Sequence, residues 1–88
     1  MLGSVIVEKY DPRIIYTRTR EIVNTYIDDM INYATVLRGN TTIDVYYSNS
    51  RIVLVYNYGD YFKIVILDTD EPLKVLYNNL DDLVRLFS

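Results

Sequence analysis

The chain has 88 residues, a formal charge of −3 and a half-apolar composition, which suits one small domain with a thin but self-supporting core. It contains neither Cys nor His, so disulfides, thiolate metal clusters, thiol nucleophiles and the commonest general base are excluded. Ten Tyr, ten Ile, ten Val and nine Leu stand against one Ala and no Trp, an excess of β-branched and aromatic side chains that favours pleated sheet.

The opening residues, Met1-Leu2-Gly3-Ser4-Val5-Ile6-Val7-Glu8-Lys9, hold an apolar run of only three with no basic lead. No later stretch approaches the length of a bilayer span, so the expectation is a cytoplasmic protein without membrane contact. Ser4 to Lys9 reads as a short strand with Val5 and Val7 on one face. From Pro12 to Arg38 the apolar residues follow a helical wheel. Tyr16, Val23, Tyr26, Ile27, Tyr33, Ala34 and Leu37 fall within about 60° of Met30, and Glu21, Asn24, Thr25, Asp28, Asn32 and Thr35 lie opposite. Asp11 and Pro12 suit the N-cap and first helical position, and Gly39 suits the stop. The β-branched run Ile14-Ile15-Tyr16-Thr17 offers an alternative in which the helix starts near Thr19; the longer helix is the expected one.

Residues 42 to 67 read as a three-stranded antiparallel meander. Asn49-Ser50 forms a two-residue turn that sets Tyr47 opposite Ile52, Val45 opposite Leu54 and Ile43 opposite Tyr56. A three-residue loop, Tyr58-Gly59-Asp60, then sets Tyr56 opposite Phe62, Leu54 opposite Ile64 and Ile52 opposite Ile66. Asp70 or Glu71 before Pro72 opens the last helix, whose Leu73, Leu76, Tyr77, Leu80, Leu83, Val84 and Phe87 recur at i, i+3, i+4 and i+7. The element order is β-α-β-β-β-α, a single α+β domain over residues 1–88 with the meander packed against an N-terminal and a C-terminal helix.

Two surfaces in this scheme need a cover. The second face of the meander carries Tyr46, Val53, Val55, Tyr61, Val65 and Leu67, offset only by Asp44, Arg51 and Lys63, whereas a sheet wetted on one side alternates cleanly. Either the two helices lie on opposite faces and cover both, or they share one face and the other meets a partner, for which a second copy related by a closed twofold is the simplest source. Tyr suits such an interface because it adds apolar area and keeps a polar tip. The last helix also has a secondary apolar line, Val75 and Leu86, on its charged side, a further candidate partner contact.

Candidate chemistry is sparse. Asp68 and Asp70, at i and i+2 just beyond a strand, have the oxygen-donor character that Mg²⁺ or Mn²⁺ takes, and would serve phosphate chemistry. The same Asp68-Thr69-Asp70-Glu71 run also suits the capping of a helix N-terminus, which is the expected role. Asp28-Asp29 and Asp81-Asp82 are adjacent pairs that diverge by about 100° on a helix, so neither forms a close dyad. Ser and Thr nucleophiles lack a recognisable elbow and have no His to activate them. No catalytic residue, metal site or cofactor is expected.

In element order, residues 12 to 87 resemble the double-stranded RNA-binding domain, helix, meander, helix. That family places a Lys-rich cluster at the start of its last helix; here the position reads Asp68-Thr69-Asp70-Glu71-Pro72-Leu73-Lys74, and residues 60 to 88 hold six acids against three bases. Phosphate binding needs several basic groups on one surface, so nucleic acid is not the expected partner. Arg13, Arg18 and Arg20 form a small positive region on the N-terminal helix, a candidate anion contact. The richness in Tyr, Ile and Val and the absence of Cys, His, Trp and Gln resemble small accessory proteins of hyperthermophilic archaeal viruses and plasmids, a resemblance of composition without a motif. It implies a viral or mobile-element factor working in the host cytoplasm. The expected function is therefore a non-catalytic, homodimeric protein-interaction module that modulates another protein, contacting it through Tyr46, Val53, Val55, Tyr61, Val65, Val75 and Leu86. The competing expectations are a metal-dependent enzyme using Asp68 and Asp70 and a weak nucleic-acid binder using the arginines.

Overall fold

The computed structural model describes residues 5–10, 16–59 and 62–88, and the side chains at 21, 23–59 and 62–88. It is an α+β fold. Strand β1 (Val5–Tyr10) leads to helix α1 (Tyr16–Ile27), followed by β2 (Ile31–Arg38), β3 (Thr41–Tyr47), β4 (Arg51–Asn57), β5 (Phe62–Asp68) and helix α2 (Pro72–Leu86). The five strands form one antiparallel sheet in the order β1-β5-β4-β3-β2, so β2 to β5 meander and β1 returns to the outer edge of β5. The Asp11-Pro12 cap lies outside the described residues.

The expected single helix from Pro12 to Arg38 is in fact a helix and a strand. Helix α1 stops at Ile27, where Met30 donates its N–H to the Ile27 carbonyl at 3.0 Å and Asp29 takes φ 65°, the left-handed turn that commonly closes a helix. Ile31-Asn32-Tyr33-Ala34-Thr35-Val36-Leu37 then pairs with β3. Ile, Tyr, Thr and Val in this segment fit a strand better than a helix, and Gly39-Asn40 serves as a two-residue hairpin turn. Gly39 has φ 60° at the first turn position, as a type II′ turn requires. Because Asp29 carries a side chain in a region that disfavours one, Asp29→Gly is expected to raise the thermal midpoint, with a gain of up to about 1 kcal/mol. An unchanged or lowered midpoint would count against the closing role of this residue.

The β3–β4 register is as the parity argument expects, with Tyr47, Val45 and Ile43 opposite Ile52, Leu54 and Tyr56. The β4–β5 register differs by one residue. Tyr56 faces Lys63, Leu54 faces Val65 and Ile52 faces Leu67, because residues 58–61, one more than expected, separate the strands. A one-residue slip exchanges every side chain between faces, so Lys63, Val65 and Leu67 join Ile52, Leu54 and Tyr56, while Phe62, Ile64 and Ile66 join Val53 and Val55.

The two helices cover opposite faces. On one side, Leu76, Leu83 and Val84 of α2 pack against Ile43, Val45, Ile52, Leu54, Tyr56, Val65 and Leu67. On the other, Val23 of α1 is buried among Val53, Val55, Ile64 and Ile66, flanked by Tyr26, Ile27, Met30 and Tyr46. Strands β4 and β5 are consequently buried without alternation from Ile52 to Tyr56 and from Lys63 to Leu67. A sheet covered on both sides needs apolar residues on both sides, which is why the second face of the meander is not polar.

Candidate interaction surface

Helix α2 carries the feature that shapes the surface. Glu71 is its N-cap and Pro72 its first residue, and the Glu71 N–H is held by the Thr69 hydroxyl at 3.2 Å. At Asn79 the backbone leaves the helical region, φ −135° and ψ 18°; Asn is a weak helix former because its amide competes for backbone groups, and here two stand together. The buried residues before this point are Pro72 and Leu76, and those after it are Leu83 and Val84. On a wheel the inward stripe is rotated by roughly 60° between the two halves. Leu73 and Tyr77, which belong to the core stripe of a straight helix, are therefore turned out, 51% and 83% exposed. Val75 instead packs against the core.

These outward side chains continue onto the sheet. Leu73 shares a cleft of about 300 Å³ with Tyr47, Tyr47 meets the Tyr33 ring edge-on at 6.1 Å, and Tyr33 shares a second cleft of about 360 Å³ with Tyr77. Ile31, 59% exposed, stands opposite Tyr47 in the ladder. Leu73, Tyr77, Tyr33, Tyr47 and Ile31 thus form a patch from the first half of α2 to the edge strand β2, with Tyr33 and Tyr47 partly buried and Asn78, Asp81 and Asp82 bordering the Tyr77 cleft. The edge itself is guarded. A bulge between Asn32 and Ala34 interrupts the ladder, and the Asn32 amide donates to the Val45 and Ala34 carbonyls at 3.2 and 3.4 Å. Bulged edges resist pairing with another strand.

The other end of α2 is closed by a polar cluster. The Tyr56 hydroxyl donates to the Val84 carbonyl at 2.9 Å, and the Lys63 ammonium donates to the Phe87 carbonyl. Lys63 is buried, with its ammonium 4.6 Å from the Tyr56 ring centre and 5.3 Å from that of Tyr58. A cation at a helix C-terminus, over aromatic faces, satisfies carbonyls that the helix leaves open. Burial pushes the Tyr56 phenol up to about 12, with Tyr58 adding to the shift and the Ser88 hydroxyl and Arg38 opposing it. These groups dock α2 on the sheet.

The structure redistributes the residues expected to contact a partner. Val53 and Val55 are buried beneath α1, and Val65 is buried on the α2 face; none of the three is a surface residue, because a helix covers each face. Tyr46 is half-buried beside the α1 cluster, Val75 is half-buried against the α2 face, and Leu86 is 67% exposed. Tyr61 and Arg13 lie outside the described residues, as do the side chains of Arg18 and Arg20 on α1. Asp68 is engaged by Arg51, Nε to Oδ1 2.6 Å, and this bond raises the Arg51 pKa above its usual value. Asp70 is exposed, and among the described residues no group of three or more carboxylates converges. No helix among them is long and apolar enough to cross a membrane.

Comparison with protein-family models, curated proteins and solved structures finds no match to this chain. Function is therefore argued from the patch. Its residues were missed in the sequence because Leu73 and Tyr77 fit the straight-helix core stripe and Tyr33 fitted the long-helix wheel. The Asn78-Asn79 doublet was the available signal.

Proposed function

We propose that the protein is a non-catalytic protein-interaction module whose contact face is the patch of Ile31, Tyr33, Tyr47, Leu73 and Tyr77. The observation that carries this reading is Tyr77, 83% exposed beside exposed Leu73 on a helix whose kink turns both away from a core that they would otherwise join. Large apolar side chains exposed together on a small domain favour an interaction site, and Tyr is favoured at the centre of such sites. The composition supports a setting, a viral or mobile-element factor, without bearing on the patch.

The test compares the protein with its Leu73→Lys, Tyr77→Lys double variant. Both positions are exposed, so folding stability should change by no more than about 0.5 kcal/mol per site. Affinity for protein bound by the unmodified chain, a second copy included, should fall at least a hundredfold. Retained binding would overturn the reading. So would a rise in thermal midpoint with millimolar Mg²⁺ or Mn²⁺ that Asp68→Ala abolishes, since that result favours the metal-dependent alternative.

A further inference from the structure

The exposed charges of α2 and of the two residues before it are Asp70, Glu71, Lys74, Asp81, Asp82 and Arg85, with exposed Tyr77 between the two groups. Before the break at Asn79, Lys74 and Tyr77 at i and i+3 share a side of α2, and beyond it Asp81 and Arg85 at i and i+4 share one, with Asp70 just ahead of the helix. The order of sign is acid, base, Tyr, acid, base. Reversed about a point between Tyr77 and Asn78, the pattern complements itself: Lys74 falls opposite Asp81, and Asp70 falls opposite Arg85. Shifting that centre by half a residue gives the equivalent matches of Lys74 with Asp82 and of Glu71 with Arg85.

We infer that the patch binds a second copy of this chain, the two α2 helices packing antiparallel across a twofold axis beside Tyr77. This assignment rests on the interaction-module reading and names its partner. A twofold makes each match occur twice, and antiparallel packing sets the acidic start of one helix against Arg85 near the end of the other. The axis brings Tyr77 of both copies together with Leu73 beside it, the most exposed apolar side chains of the first half of the helix. Among the described residues Lys74 pairs with Glu71 at 3.8 Å, both side chains being mostly exposed, and such a pair holds a lysine weakly. A contact of one helix pair lies at the small end of specific interfaces, so the dimer is expected in the micromolar range.

The experiment is sedimentation equilibrium or light scattering from about 5 to 500 µM, a range chosen to bracket a micromolar dissociation constant, with circular dichroism to check folding. The unmodified chain should reach twice the chain mass. Tyr77→Ala should weaken the dimer by more than tenfold. Lys74→Glu, which sets like charges against Asp81 and Asp82 of the second copy, should weaken it about tenfold, and adding Asp81→Lys and Asp82→Lys to Lys74→Glu should restore it. A single-chain mass at every concentration overturns the inference, as does a dimer indifferent to both Tyr77→Ala and Lys74→Glu. A monomeric chain whose binding to another protein is lost in Leu73→Lys, Tyr77→Lys removes the second-copy assignment alone. Loss of neither removes the interaction-module reading too.

Discussion

Val53→Asp is expected to destabilise the fold severely, whereas Leu37→Asp leaves stability nearly unchanged. Val53 is fully buried on the α1 side of the sheet, in contact with a cluster that includes Val23, Val55, Ile64 and Ile66. A carboxylate there loses its water and gains no cation among the described residues of that cluster. An uncompensated buried charge costs about 3 to 5 kcal/mol or more, or else protonates at a similar penalty. Chains of this length are stable by roughly 4 to 13 kcal/mol in total, so the loss takes from about a quarter to all of that margin. Leu37 lies on the edge strand and is 75% exposed, where substitution usually changes stability by about 0.5 kcal/mol or less. Denaturant unfolding followed by circular dichroism separates the two. The comparison decides how the second apolar face is used, because an interface on that face would let Val53→Asp give a folded monomer. A folded Val53→Asp with a native melting profile would remove the α1-covered face from the fold.

What was legible in the sequence follows from where one physical pattern had no rival. Ile43, Val45 and Tyr47 alternate, Asn49-Ser50 is a two-residue turn, and Ile52, Leu54 and Tyr56 alternate back, so the β3–β4 register had one solution. Pro72 fixed the start of the last helix for an equally local reason, its missing N–H. Residues 31 to 38 had two solutions. Tyr33, Ala34 and Leu37 satisfy a helical wheel around Met30, yet the same segment alternates well enough to pair with Thr41–Tyr47, and long-range pairing prevailed over the local period. Gly39-Asn40, which serves equally as a helix stop and as a hairpin turn, did not decide between them.

The β4–β5 phase was hidden for a different reason. Phe62, Ile64 and Ile66 are as apolar as Val65 and Leu67, so shifting the strand by one residue left both faces apolar, and Lys63 was the only polar marker within residues 62 to 67. Its burial against α2 reverses the usual inference from a lysine: the ammonium closes the helix end through the Phe87 carbonyl, so a charge that reads as solvent-facing marks the core side. The patch was hidden by the kink, since an ideal wheel cannot represent a helix whose inward stripe turns at Asn79. In each case the sequence contained the relevant residue, Gly39, Lys63 or Asn79, and the competing use of that residue was decided by packing.

Tyr56 is expected to be the most costly single truncation on the α2 side, and its hydroxyl the source of a measurable alkaline weakness. The ring is fully buried, stacks on Tyr58 with centres 6.0 Å apart, and lies beneath the Lys63 ammonium; Tyr56→Ala removes all three contacts and should cost about 3 to 5 kcal/mol. Tyr56→Phe keeps the ring but removes one of two hydroxyl donors to the Val84 carbonyl, the Ser88 hydroxyl remaining, for a loss of about 0.5 to 1.5 kcal/mol at neutral pH. The pH dependence then isolates the hydroxyl. In the unfolded chain the phenol ionises near its ordinary value of 10.0, and in the folded chain near 12. Below pH 10 both states keep the proton and the full contribution is present. Between pH 10 and 12 the unfolded chain releases a proton that the folded chain retains, so stability falls as pH rises, by up to about 3 kcal/mol. Above pH 12 both are ionised and the loss is complete. Every other titrating group is shared with Tyr56→Phe, so the variant, less stable at pH 7, should lose less between pH 10 and 12 and draw level with or overtake the unmodified protein. Urea unfolding at intervals across that window measures the difference directly. Parallel curves would show that the phenol is not the buried, α2-anchoring group that its contacts with Val84 and Lys63 describe.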